Sequence, residues 1–203
     1  WKSEAHKASL ELDEQSFCLD LDGDIIGENI DLKIKPASVT KLYTTLWSLD
    51  RLGKDHRFET KFSIKGKNLY IHGGSDPYFV TENILVALDK LSDLGYSKFD
   101  YVYFDQNLFY NWKKDKAVIT KSLEKIINKK SWTQKTAQTI DEMNLFFKRN
   151  NSDIKINIQN LSAKFIVSAE DINIDEDYSF TLSSSPLWMH LKQVNMYSNN
   201  FYT

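Results

Sequence analysis

The chain contains a serine and a lysine, Ser38 and Lys41, in a spacing that suits nucleophilic catalysis. On a helix, residues three positions apart lie on the same side, so the hydroxyl and the amine come within hydrogen-bonding reach. A neutral lysine can take the proton of the serine, and burial favours the neutral amine. The pair therefore predicts acyl transfer through a covalent serine intermediate.

Local context separates this pair from two others with the same spacing, which begin at Ser122 and Ser152. Only Ser38 follows a proline, Pro36, that the first turn of a helix tolerates. Apolar residues then recur at helical spacing up to a glycine that ends the pattern. These apolar residues are Val39, Leu42, Leu46, Leu49 and Leu52. The pattern predicts a buried helix from Pro36 to Leu52, with the dipole of its first turn available to an oxyanion.

A second polar pair, Ser198 and Asn200, lies near the end of the chain. It follows an amphipathic segment that opens at Pro186. A serine and an asparagine in such a turn serve equally well as a helix cap. Taken with the first pair, they become candidates for the same site.

The remaining sequence predicts a mixed α and β protein, in which a strand, a helix and a strand form an α/β unit. The predicted elements are a hairpin at 17–26, a strand pair at 58–71, a helix at 82–94, a strand at 101–104, a strand at 154–158 and a loop at 170–177. A loop with two glycines, at 72–77, follows the strand pair.

The composition excludes several functional classes. The 203 residues, 41% of them apolar, suffice for one large or two small domains with a core. A formal net charge of −2 gives no reason to expect nucleic acid or an anionic membrane as a partner. We expect no transmembrane segment, and an exported protein would be seen here in its mature form. Cys18 is the single cysteine and the four histidines are scattered, so no metal site is expected.

Several stretches, in chain order, resemble the type-4 (class C low-molecular-mass) penicillin-binding proteins. The stretches are Lys35–Leu42, Leu49–Gly53, Phe58–Thr60, Leu69–Pro77, Phe99–Phe109, Ser185–Leu187 and Lys192–Asn200. The members of this family are D-alanyl-D-alanine carboxypeptidases and endopeptidases. The resemblance implies a transpeptidase domain of the penicillin-binding-protein/β-lactamase type, an α/β (α+β) fold, with an inserted α/β domain. We expect residues 1–65 and 181–203 to form the catalytic domain and residues 66–180 to form the insertion.

Carried over by position, the resemblance assigns a role to each candidate residue. Ser38 is the acylated nucleophile and Lys41 its base. Ser198 transfers a proton, and Asn200 holds the substrate amide. The resemblance further implies a serine DD-peptidase of the periplasm or another extracytoplasmic compartment. Its substrates would be peptidoglycan stem peptides, β-lactams would acylate it, and it would need neither a metal nor an organic cofactor.

One family motif is missing from the sequence. The family places a lysine or histidine, then Thr or Ser, then Gly after the second motif, but no glycine follows Gly95. That segment contributes an oxyanion-hole amide, and the loss of one such donor costs about 10²–10³ in rate. We therefore expect an N-terminal portion of a longer enzyme that is nearly inactive alone. The alternative is a catalytically inactive protein that binds peptidoglycan.

Overall fold

The structure is a computed structural model, and it describes residues 1–33, 35 and 37–197. The chain forms two compact units, of which the first comprises Trp1–Thr40 and the second begins at Lys41. The division predicted from the resemblance has its boundaries at residues 65 and 180, and it stays a prediction. Its first boundary falls in the turn of a β-hairpin, so the strand before residue 65 shares a sheet with later strands.

The first unit contains a short helix, α1 (Lys2–Lys7), and the predicted hairpin of β1 (Phe17–Leu21) and β2 (Asp24–Glu28). Asp22 and Gly23 both have positive φ, as the two central residues of a type I′ hairpin turn require. The sequence Asp-Gly at this point therefore fixes the register of the hairpin. The unit ends in a single 3₁₀ turn at Ala37–Val39.

The second unit is built on a five-stranded mixed sheet with the order β6-β5-β4-β3-β7. The strands are β3 (Glu59–Lys65), β4 (Asn68–His72), β5 (Lys98–Phe104), β6 (Ser162–Ser168) and β7 (Tyr178–Ser183). Strands β4, β5 and β6 are parallel, and β3 is antiparallel to both of its neighbours. The predicted strand pair at 58–71 is thus the β3–β4 hairpin.

Three helices lie against one face of this sheet and form the core with it. They are α3 (Thr81–Asp93), α4 (Lys116–Ile127) and α5 (Gln134–Arg149). Helix α3 connects the parallel strands β4 and β5, which confirms the predicted α/β unit. Leu85 and Leu88 of α3, Leu123 of α4 and Val102 of β5 are wholly buried at this interface or nearly so.

The predicted strand at 154–158 is wrong, because this segment has no strand neighbour. Its backbone is hydrogen-bonded by side chains instead. Ile156 donates its N–H to Asn144 Oδ1 at 2.7 Å, and Asn157 donates to Asp89 Oδ1 at 2.6 Å. The alternating isoleucines at 156 and 158 are buried against the helices, so their pattern reflects burial and not sheet pairing.

The predicted acidic loop at 170–177 is confirmed, and it connects the two edges of the sheet. It begins where Ala169 donates to the Phe104 carbonyl, and it ends where Asp177 donates to the Ile64 carbonyl. The Lys61 amine pairs with Glu176 of the loop at 2.5 Å. The loop therefore crosses the sheet face that the helices leave uncovered.

Two further helices, α2 (Thr40–Leu52) and α6 (Leu187–Tyr197), complete the second unit. The helical period predicted α2 correctly, but its burial is the reverse of the prediction. The side turned inward carries mostly polar residues, namely Lys41, Thr44, Thr45, Ser48 and Leu49. Leu42 and Leu46, predicted to be buried, are 57% and 67% exposed. Among the described residues, none covers this apolar side of α2.

The exposure of α2 can be tested by comparing two leucines that both lie inside helices. Leu88→Ala removes a side chain that is 1% exposed and should lower the free energy of unfolding by about 2–5 kcal/mol. Leu46→Ala should lower it by less than about 0.5 kcal/mol, because its side chain is already in water. Urea denaturation measures both values. An equal loss for the two variants would contradict the exposed position of Leu46.

Candidate active site

Lys41 is the second residue of α2 and is only 5% exposed. Ser38 precedes it in the 3₁₀ turn of the first unit and is exposed. The α-helix thus begins two residues after Ser38, whereas the sequence predicted Ser38 within its first turn. The roles that the resemblance assigns to Ser38 and Lys41 stay predictions.

Helix α6 packs antiparallel to α2, and the contacts along both helices show this. At the start of α6, Leu187 donates its N–H to the carbonyl of His56, which lies just beyond the end of α2. Near the end of α6, Asn195 donates from Nδ2 to Thr45 Oγ1 at 3.0 Å. The apolar side of α6 is buried through Leu187, Leu191 and Val194.

This direction brings the carboxyl end of α6 to the amino end of α2. Lys41 lies one turn before Thr45 on α2, and Tyr197 lies half a turn after Asn195 on α6. Ser198 and Asn200 follow Tyr197 in the sequence and lie outside the described residues. Their predicted roles therefore stay predictions.

A loop rich in small residues, 73–77, lies beside these helices, and its glycines are needed for close packing. A Cβ at Gly73 would overlap the backbone of Leu108, and one at Gly74 would overlap the backbone of Glu59. The buried carboxylate of Asp105 accepts hydrogen bonds from the N–H groups of Gly73 and Asn107, at 2.9 and 3.0 Å. Close packing thus explains the two glycines of this stretch, which resembles the penicillin-binding proteins.

The same loop contributes a buried carboxylate, Asp76, and α6 contributes a buried imidazole, His190. Asp76 accepts the N–H of Tyr78 at 2.8 Å, so local hydrogen bonding within the turn accounts for it. Burial raises the pKa of Asp76 and lowers the pKa of His190. His190 Nε2 lies 3.0 Å from the carbonyl of Ser185, so a neutral ring can donate there. A histidine without metal-ligand spacing is expected to have a surface or capping role, and for the buried His190 this expectation is wrong.

A small cavity of about 320 Å³ lies between α2, α6 and the 73–77 loop. Ser48 of α2, Ser75 of the loop and His190 of α6 line it, together with apolar side chains of both helices. The Lys114 amine, which also lines it, lies 4.8 Å from the centre of the Phe109 ring. The inward side of α2 therefore borders a mixed polar and apolar cavity two turns from Lys41.

A serine and a histidine also meet elsewhere, on the sheet. Ser63 Oγ lies 3.1 Å from His72 Nε2, but Ser63 is fully buried, so no substrate can reach its hydroxyl. Burial lowers the pKa of His72. Within the described part of the chain, no group of three or more His, Cys, Asp or Glu residues could hold a metal ion. No helix there is both long and apolar enough to cross a membrane.

The buried imidazole of His190 makes the stability of the protein depend on pH. Its pKa lies below the ordinary value of 6.5, so the folded protein binds fewer protons there than the unfolded chain. The unfolding free energy must therefore fall as the pH drops below about 6.5. His190→Gln should reduce the fall of Tm between about pH 7.5 and pH 5.5, with the part due to His72 retained. Thermal unfolding followed by circular dichroism measures it.

An unchanged slope in His190→Gln would contradict the assignment of a neutral, buried imidazole at this position.

Solved structures with the same fold include two predatory endopeptidases of Bdellovibrio bacteriovorus. Bd3459 matches with a TM-score of 0.68 at 24% identity, over 92% of this chain and 50% of that chain. Bd0816, in complex with the immunity protein Bd3460, matches with a TM-score of 0.66 at 19% identity, over 93% and 55%. The chain thus spans about half the length of these structures. At these identities the likeness establishes the fold, which confirms the predicted fold class.

A comparison with curated proteins found no match. A comparison with protein families matched residues 14–142, which is more than half of the chain and includes Ser38 and Lys41, to the D-Ala-D-Ala carboxypeptidase 3 (S13) family. The match confirms the resemblance that the motifs had indicated. The chain belongs to the D-Ala-D-Ala carboxypeptidase 3 (S13) family.

Proposed function

We propose that this protein is a serine DD-peptidase that acts on the stem peptides of peptidoglycan through an acyl-enzyme on Ser38. One observation carries the proposal: the matched family segment contains Ser38 and Lys41, and Lys41 is buried at the start of α2. The antiparallel packing of α6 supports the second pair, because the carboxyl end of α6, which precedes Ser198 and Asn200 in the sequence, lies toward that end of α2.

The proposed reaction has two acyl-transfer steps. The Ser38 hydroxyl attacks the carbonyl carbon of the D-Ala-D-Ala or cross-link amide while the Lys41 amine takes its proton. The C–N bond then breaks as the protonated Lys41 returns its proton through the Ser198 hydroxyl to the leaving amine, while Asn200 holds the substrate amide. Water next attacks the ester, which releases the acid and restores the hydroxyl. The burial of Lys41 supports its role as the base, because the packing around a buried side chain limits its movement.

A β-lactam should acylate the same serine, because its strained amide presents the same carbonyl carbon to the nucleophile. One of the structures that share the fold is Bd3459 acylated by penicillin G, which matches with a TM-score of 0.69. A peptidase of peptidoglycan works outside the cytoplasm, so we propose an extracytoplasmic location.

The alternative that the sequence left open is a protein that binds peptidoglycan without cleaving it. An enzyme that lacks one oxyanion donor retains about 10⁻²–10⁻³ of its rate. Acylation by a β-lactam separates the two candidates, because it needs the serine and its base and is read as a stable adduct.

The decisive experiment is incubation with penicillin G followed by intact mass measurement and peptide mapping. We expect one adduct per chain, located on Ser38, and none in Ser38→Ala. Lys41→Ala should slow adduct formation by at least about 10²-fold, since general-base catalysis contributes that much.

Ser152→Ala provides a matched control, because Ser152 also precedes a lysine by three positions. It should be acylated like the unmodified protein. An adduct that persists in Ser38→Ala would contradict the assignment of the nucleophile. No adduct in any form would favour the binding protein over the peptidase.

A further inference from the structure

A large groove of the second unit lies away from α2 and has no role in the proposed reaction. It has a volume of about 710 Å³, within the range of small-molecule sites. Its walls are the amino end of α3, the turn at 110–113, one side of α4 and the start of α5. Gln193 of α6 closes one end. It is therefore large enough for a ligand of several linked groups.

A strained turn holds an indole ring at this groove. Tyr110 and Lys113 pair with each other through two backbone hydrogen bonds, and the residues between them, Asn111 and Trp112, have φ values of 48° and 60°. This is the geometry of a type I′ turn, which favours Asn first and Gly second. A tryptophan in the place of glycine is an unfavourable choice for the backbone. The side chain is 46% exposed, so the burial of its ring does not offset that cost.

Hydrogen bonds to the start of α3 fix the turn in this conformation. Asn111 donates its N–H to the carbonyl of Phe79 at 3.0 Å. Its side chain accepts the N–H of Thr81 at 3.1 Å and donates to Thr81 Oγ1 at 3.0 Å. The turn that carries the indole is thus held in one conformation. A binding residue needs such a rigid support, whereas an ordinary surface residue does not.

The groove is positively charged and rich in hydroxyl groups. Lys125 of α4 and Lys135 of α5 line it, both are exposed, and neither pairs with a carboxylate among the described residues. Glu82 is the single carboxylate among its lining residues. The hydroxyl-bearing residues of the lining are Tyr78, Thr81, Tyr110, Ser122, Ser131, Thr133, Thr136 and Thr139. A ligand that fits these groups has a flat apolar face, several hydrogen-bonding groups and a carboxylate.

An N-acetylated sugar with an acidic peptide attached has all three features. One face of a pyranose ring carries C–H groups that pack on an indole, and its rim carries hydroxyl groups. We propose that this groove binds a muropeptide of peptidoglycan, with its sugar on Trp112 and the carboxylate of its stem peptide at Lys125 and Lys135. The choice of peptidoglycan as the source rests on the proposed function, whereas the chemistry of the groove stands by itself.

The position of the groove suits a peptidoglycan polymer that is held beside the candidate active site. Gln193 at its end and Asn195, which contacts α2, are two residues apart on α6 and hence point to opposite sides of it. A ligand in the groove therefore lies about one helix diameter, roughly 10 Å, from α2. The groove would hold one part of the polymer while another part reaches the start of α2.

The test is a calorimetric titration with the probe N-acetylglucosaminyl-N-acetylmuramyl-L-alanyl-D-glutamate. We expect binding with a Kd of about 1 mM or tighter, and at least about tenfold weaker binding of chitobiose and of the dipeptide L-alanyl-D-glutamate. Trp112→Gly should weaken binding by about fivefold, and it should fold well because glycine suits the turn. The double variant Lys125→Ala/Lys135→Ala should bind the probe only as tightly as the unmodified protein binds chitobiose.

The controls separate this proposal from the reaction on Ser38. Ser38→Ala should bind the probe unchanged, and Trp112→Gly should still be acylated by penicillin G. No binding of the probe up to about 10 mM, or equal binding by Trp112→Gly, would overturn the proposal. Binding of the dipeptide as tight as that of the whole probe would replace the saccharide by a peptide and also overturn it.

Discussion

The packing of α6 against the polar side of α2 is the constraint on which the rest of the candidate site depends. It directs the end of α6 toward the start of α2, where Lys41 is buried, and it borders the cavity that His190 lines. Few groups make the contact, and most are polar: Thr45 and Ser48 face a helix whose own inward side is apolar.

The same packing leaves the apolar side of α2 in water. Tyr43, Leu46 and Trp47 are each about two-thirds exposed or more, and Met196 and Tyr197 of α6 are similarly exposed. Hydrophobic burial therefore contributes little to holding α2, whereas it holds α3 and α4 firmly against the sheet. Contiguous apolar surface of this kind is unusual on a monomeric protein. In this chain a few polar contacts hold the helix that carries the candidate base, whereas the groove beside Trp112 is formed by elements that pack in the hydrophobic core.

Local sequence patterns predicted the elements well and their surroundings poorly. The Asp22-Gly23 turn, the β3–β4 hairpin and helix α3 are each determined by residues within a few positions of one another. Strand β6 was missed, because its pairing with β5 depends on residues more than sixty positions away. The periodicity of α2 gave the helix but could not tell which side another element would cover. The Ser38–Lys41 spacing identified the family segment, whereas the position of Trp112 at a groove depends on hydrogen bonds from its turn to the start of α3.

The most direct test of the central contact is a nuclear Overhauser measurement between α2 and α6 in solution. Antiparallel packing predicts a cross-peak between the methyl group of Thr45 and the side-chain amide protons of Asn195, whose heavy atoms meet at 3.0 Å. It also predicts that Thr45 shows no cross-peak to Leu187, at the other end of α6. Cross-peaks from Thr45 to Leu187, or none from Thr45 to any residue of α6, would contradict the position that this account gives to Lys41.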